Sequence, residues 1–342
     1  MRGLQSLIRS IEEMGREAEA TTPAEDLDLL LYSPCPVKLA VKAHIDAIAA
    51  AYADQGRPVS IHIPMGCTSI DPYDPLCLET DSEKLPAVIA SIGFGDFWKT
   101  DFVRRFVDTE LFETVLPNRI HPLHRKSGLI DPEGRYTIYG VNPYIFLVDT
   151  GRLGTRPVPR TWEDLFHPQY RGDIVMCGDG DDMADAVVLN IFKEHGHAGL
   201  EKLAGNVSSI MHSSQMAKTA GSSDPSARAV FIIPYFFAVS TRQPDPVRMV
   251  WPEDGAAASP LYLLAKKSEQ DRLADLLAFF TDGFATIPSA AGFIPVGGEM
   301  PSEIPSYADL KWMGWRFVRD NDINALREEL NTRFRSLHRA AS

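Results

Sequence analysis

The chain has no uninterrupted apolar run approaching the roughly 20 residues that a membrane-spanning helix needs. Its opening residues, MRGLQSLIRSIEEMGREAEA, carry charges throughout and lack the apolar centre of a secretory signal. A membrane span is excluded, and a cytoplasmic place of work is expected, with the periplasm as the alternative if a leader has been removed. Basic side chains are outnumbered, 34 against 46 acidic, for a formal net charge of -12. No Lys/Arg cluster is dense enough to follow a phosphate backbone, so nucleic acid is excluded as a partner. Cysteine is scarce: there are four, none in a C-x-x-C pair, so the strong signature of a thiolate metal site is missing. Catalytic signatures are missing too. There is no G-x-S-x-G elbow, no P-loop, no H-E-x-x-H and no G-x-G-x-x-G behind a strand, and nothing sets two carboxylates across a scissile bond.

What is present is an ordinary globular composition, 44% hydrophobic and 23% charged, in a chain of 342 residues. That length exceeds what one hydrophobic core usually serves, so two lobes are expected. Residues 1–20 read as an amphipathic surface helix closed by Thr21-Thr22-Pro23. Asp28 to Tyr32 reads as a strand, Val37 to Tyr52 as a helix with an Ala-rich face, and Val59 to Ile63 and Ala87 to Ile92 as further strands. Strands alternating with helices predict a largely parallel sheet with right-handed crossovers. Farther on, helices are expected over Met183 to Phe192, Ala198 to Leu203, Gln270 to Phe280 and Trp312 to Leu337. Strands are expected at Val207 to Ile210, Ala229 to Ile233, Met249 to Pro252 and Leu261 to Ala265.

The most informative passage runs from Tyr139 to Met176. Val141 and Tyr144 to Val148 form a buried strand bent at Asn142-Pro143. Turn residues follow, then Thr161 as N-cap of a short helix, a stop at His167-Pro168, and a new buried strand from Asp173. This order resembles the crossover of the type 2 periplasmic binding proteins, the solute receptors of ABC importers, nearest their iron and polyamine branch. The pieces that carry it are N-P-Y-x-F-x-V, W-E-D-L and P-x-Y-x-G, and the likeness extends from about residue 27 to about residue 298. It implies an α/β fold of two lobes, each a mixed sheet flanked by helices, joined by two hinge crossovers. The expected division is an extension over 1–26, lobe one over 27–140 and 246–342, and lobe two over 141–245, with Pro234-Tyr235-Phe236-Phe237 as the second crossing.

In such sheets ligands bind beyond the carboxyl ends of the strands, where loops meet helix N-termini. That rule selects Ser33 and Cys35 after the first strand, Cys67 and Thr68 after the second, and Gly93 and Phe94 after the third. In lobe two it selects Cys177, Gly178 and Asp179. Cysteines are most often core filling, and Cys67 with Cys77 could instead form a disulfide in an oxidising compartment. Three at equivalent strand ends nevertheless suggest a soft metal ion or an Fe–S cluster held by Cys35, Cys67 and Cys177. His212 lies four residues from Met216 and could add a ligand, although packing is the commoner role. Ser213 and Ser214 read as a helix cap and anion cradle. The resemblance adds Tyr139 and Tyr235, because hinge tyrosines of that family reach a ferric ion or its anion. The adjacent Tyr-Tyr pair that marks many ferric-ion binders is absent. The acidic run Asp179 to Asp182 lacks the spacing of a calcium loop.

The expected function is capture of a metal, metal complex or anion in an interlobe cleft. Delivery would be to an ABC permease or, in the cytoplasm, to a sensing or buffering role, by a monomer with no bond chemistry. The alternatives are a cysteine-dependent enzyme using His212 as base, a cluster carrier, and an interaction protein with a degenerate cleft.

Overall fold

The computed structural model describes residues 26–65, 71, 73–178, 184–239 and 245–341. The expected helix over 1–20, together with Cys67, Thr68 and Asp179, lies outside them.

Among the described residues the strands are β1 (Leu29–Leu31), β2 (Ile61–His62), β3 (Val88–Ile92), β4 (Thr137–Asp149), β5 (Ile174–Cys177), β6 (Val207–Met211), β7 (Val230–Pro234), β8 (Val247–Val250), β9 (Ala256–Ala265), β10 (Ile294–Pro295) and β11 (Leu310–Lys311). They join in one hydrogen-bonded sheet of order β2-β1-β3-β9-β4-β7-β5-β6, with β8 and β10 on β4 and β11 on β9. One end, β2-β1-β3, is parallel and the other, β7-β5-β6, is also parallel; the antiparallel strands β4 and β9 join them. This is the α/β, two-lobed architecture expected from the sequence.

Apolar alternation with a period of two explains the layers. In β1, Leu30 faces one core cluster while Leu29 and Leu31 face another; in β3, Ile89 opposes Val88 and Ala90 in the same way. Both faces are covered, so these strands read as continuous apolar runs. Each such Leu or Ile contributes roughly 1.5–3 kcal/mol by leaving water.

The central strand is longer than the sequence suggested, 13 residues with Pro143 inside. Its tolerance of that proline has a local cause. On one flank β10 pairs with Gly140 and Val141, and β7 takes over only at Tyr144, so no strand partner meets Asn142 or Pro143 there. A missing N–H therefore breaks no ladder on that side. The other flank is held by β9 along Thr137 to Tyr144 and by β8 from Phe146 onward.

The return crossing also differs from expectation. β7 ends at Pro234, the chain turns into the helix Tyr235–Val239, and the passage back is made by β8 and β9 running beside β4. The helix Asp185–Asn206 bends at Gly196, whose φ of 60° allows the break. The expected helix from Trp312 is split into Trp315–Asp320 and Ile323–Ala341. The last helix lies along Asp185–Asn206: Asn331 donates to Asp185 at 2.8 Å and Arg333 to Glu201 at 2.8 Å. The last helix thus docks on the β5 half, while Trp315–Asp320 stays with the first half, against Trp98, Tyr136 and Asp131.

Candidate functional site

The stretch of β4 that lacks a neighbour on one flank opens onto a cavity of about 310 Å³. Asn142 and Ser259 are register partners on the two crossing strands, and both line it. Beside them stands Tyr144, where β4 changes neighbours. From the β1–β3 half come Pro34, Cys35, Gly93 and Phe94, all in loops that follow strands, with Leu261 and Phe293. Cys177, His212, Ser213, Phe236 and Phe237 come from the β5–β7 half. The walls are therefore chiefly aromatic and aliphatic, supplied from both sides of the crossing.

The polar groups are few. Asp185, the first residue of its helix, accepts from Asn331 and lies 3.4 Å from Arg327 Nη1. Both charged residues of that pair line the cavity, and Arg327 reaches it from the C-terminal helix. Among the described residues, two lining side-chain atoms are buried without a hydrogen-bond partner: the acceptor Asn142 Oδ1 and the donor Arg327 Nε. A buried group left so costs its desolvation, and both residues belong to the wall of one cavity.

At the end of β5, Cys177 Sγ lies 2.7 Å from Ser213 Oγ, and both residues are buried. His212 caps the helix Ser213–Thr219 by accepting from Ser214 N at 3.2 Å through Nδ1, which also meets Ser214 Oγ at 2.8 Å. Met216 is fully buried and packs in the core. Gly178 N donates to Met211 O, continuing the pairing of β5 with β6.

Thus Cys35, Gly93, Phe94, Cys177, His212 and Ser213 gather around one cavity. Ser33 and Ser214 stand next to it in sequence but do not line it; Ser33 Oγ is buried without a partner. Neither hinge tyrosine is among the residues that line the cavity. On β4 the alternation turns Tyr139 away from the cavity into the lobe core, edge-on to Phe280 at 5.0 Å and Phe284 at 5.4 Å. Burial, with Tyr262 beside it, raises its phenol well above the ordinary range. Tyr235 donates to Glu303 O, and burial followed by Glu303 and Tyr307 pushes it up to about 12. A phenolate at either place would be costly.

Among the described residues, no three His, Cys, Asp or Glu side chains converge as a metal site. The thiolate set of Cys35, Cys67 and Cys177 therefore depends on Cys67. Cys77 sits elsewhere, buried beside Lys99, with burial raising its thiol. Sequence reasoning missed Asn142, Asp185, Ser259, Phe293 and Arg327. Only the Asn142-Pro143 bend offered a signal.

The sequence profile described as bacterial extracellular solute-binding protein matches residues 83–321, well over half of the chain. The chain belongs to this family. It is accordingly a solute-binding protein, and the reading of a cysteine nucleophile with His212 as its base falls away. Comparison with curated proteins gives no match. Among solved structures, the chain is similar to the ferric binding protein of Bordetella at 13% identity and TM-score 0.60, covering 91% of this chain and 98% of that one. It is similar to a Trichodesmium protein solved with iron and citrate at 14% identity and TM-score 0.59, covering 90% and 99%. The spermidine/putrescine ABC transporter substrate-binding protein of Streptococcus pneumoniae matches at 11% identity and TM-score 0.50, covering 92% and 100%. At such identities the likeness is one of fold. Among the described residues, no helix is long and apolar enough to cross a membrane.

Proposed function

We propose that this solute-binding protein captures a small organic molecule between its lobes, closes about β4 and β9, and hands its cargo to the permease of an ABC importer. The observation that carries this reading is the interlobe cavity itself, with Asn142 and Ser259 on the crossing strands and aromatic walls from both halves. A ligand touching both halves favours the closed arrangement by its extra contacts there. The cargo suited to these walls has a flat or apolar body with one donor for Asn142 Oδ1 and one acceptor for Arg327 Nε. Asp185 and Arg327 offset each other, so neither a strong anion nor a bare cation is favoured. The protein acts as a monomer, on the outer side of the cytoplasmic membrane as its family description implies.

The test is a solute screen by thermal shift, with hits followed by calorimetry and small-angle scattering. A true cargo raises the melting temperature, binds one per chain and reduces the radius of gyration. Asn142→Leu should weaken it about tenfold or more, the loss of one buried hydrogen bond. No compaction with any solute or metal would leave a degenerate cleft and end this reading.

One observation favours a second cargo: Cys35 and Cys177, from opposite halves, both line the cavity. A soft metal ion or an Fe–S cluster bridging them and Cys67 would draw the lobes together. Anaerobic purification with metal and sulfide analysis, beside Cys35→Ser, Cys67→Ser and Cys177→Ser, separates the two. Metal retained by the wild type and lost in the serine variants supports the thiolate cargo; an empty wild type under every load removes it.

A further inference from the structure

Lys99 and Arg105 converge on one residue. Lys99 Nζ lies 3.5 Å from Cys77 Sγ, and Arg105 Nη2 donates to Cys77 O at 3.0 Å. Both line a separate cavity of about 470 Å³ that, among the described residues, shares none with the interlobe one. Its opposite wall is the start of the helix Ile323–Ala341, with Asn324. Asn324 is only 4% exposed, yet its Nδ2 has no hydrogen-bond partner, and neither has the buried Nε of Arg105. An adjoining cavity of about 610 Å³ shares Thr100, Arg104 and Asp322 with this one and holds a third such atom, Trp315 Nε1. All three are donors. Among the described residues, no buried side-chain acceptor on either lining lacks a partner.

The segment that carries the two arginines has a second peculiarity. Val103–Val107 is a π-helical turn, with Asp108 N donating to Val103 O at 2.9 Å. Such widened turns are rare and recur at functional sites. Carboxylates are present, but two are already engaged: Asp322 Oδ1 caps Ala325 N at 3.0 Å, and Glu328 lies 3.7 Å from Arg327. Lys99 is itself paired with Asp96 at 2.8 Å. The rim is therefore close to neutral, and the unmet demand lies in the buried donors. A group with several acceptor oxygens answers it.

We infer that the pocket between the π-helical turn and the start of the C-terminal helix is a second, oxyanion-binding site. It takes a phosphate or carboxylate group on the donors of Lys99, Arg104, Arg105 and Asn324. It is independent of the interlobe cargo and stands whether or not that reading survives.

The test is calorimetric titration of the full chain with inorganic phosphate and, separately, with citrate. Saturable one-to-one binding of at least one of them is expected. Phosphate alone identifies a phosphate-bearing ligand and citrate alone a carboxylate-bearing one. Asn324→Leu and Lys99→Met should each raise the Kd about tenfold or more, whereas Asn142→Leu, in the other cavity, should leave it unchanged. If Asn324→Leu does not fold, the half-exposed Lys99→Met and the exposed Arg104→Met carry the comparison. No saturable heat from either anion to concentrations on the order of 10 mM overturns the site. Binding that none of the folded variants weakens overturns it equally.

Discussion

His124 is completely buried, and its Nε2 donates to Ile294 O at 3.1 Å, tying the short helix Pro122–Lys126 to β10. Burial, slightly offset by that hydrogen bond, lowers its pKa to about 4. Above about pH 6.5 the ring is neutral in both folded and unfolded chains, so it adds no pH dependence there. As the pH falls from about 6.5 to about 4, the unfolded chain takes up a proton that the folded chain does not, and stability is lost across that window. The loss can reach roughly 3 kcal/mol. Urea midpoints measured through this range should fall more steeply for the wild type than for His124→Gln, which keeps a donor for Ile294 but does not titrate; parallel curves would refute the assignment. The same scale shows why some residues were legible and others were not. Cys35, Phe94 and Ser213 follow strands and Cys177 ends one, and strand ends are visible in apolar runs. Tyr139 misled because a tyrosine at a crossing has two faces available, and only the register of β4 shows that its ring goes to Phe280 and Phe284.

Among the elements, two close approaches shape the cavity. A Cβ on Gly292 would stand 2.5 Å from Phe236 Cα, so the loop before β10 touches the backbone of the helix Tyr235–Val239. Gly292→Ala must separate them. A destabilisation of about 1–3 kcal/mol is expected, as for an overpacked core, together with weaker cargo binding because Phe236 lines the cavity. Denaturant midpoints and calorimetry report the two effects. The other contact is the clasp of Ile323–Ala341 on Asp185. Asp185→Ala leaves the Arg327 and Asn331 donors without that acceptor, and the cost is about 1–3 kcal/mol. Hydrogen exchange should quicken through Ile323–Ala341 while β1 and β3 keep their protection; uniform change across the chain would mean that the clasp is not local. Element positions came largely from periodicity. Lys38–Asp54, β3 and β5 fall where the pattern placed them, whereas the split near Asn321 and the length of β4 depended on neighbours.

For the whole molecule, two parallel sheet ends meet at antiparallel β4 and β9, and the cavity lies over the gap between β10 and β7. On its other flank β4 is paired with β9 and then with β8, so closure should bend the sheet there without separating the halves. Scattering with a bound cargo should therefore give a smaller radius of gyration while the circular dichroism stays unchanged. The chain by itself determined the fold: its alternating apolar runs, turn residues and order of strand, capped helix and strand are local signals, and each acts within a few residues. It also pointed to Cys35, Gly93, Phe94, Cys177, His212 and Ser213, which line the cavity, since these stand at or just after strand ends. Only tertiary structure decided which side chains look into that cleft. Arg327 meets Asp185 across 142 residues of sequence, and Phe293 and Phe94 line one wall from distant loops. No periodic pattern encodes such meetings, because they depend on strand register and helix docking, which the whole core sets at once.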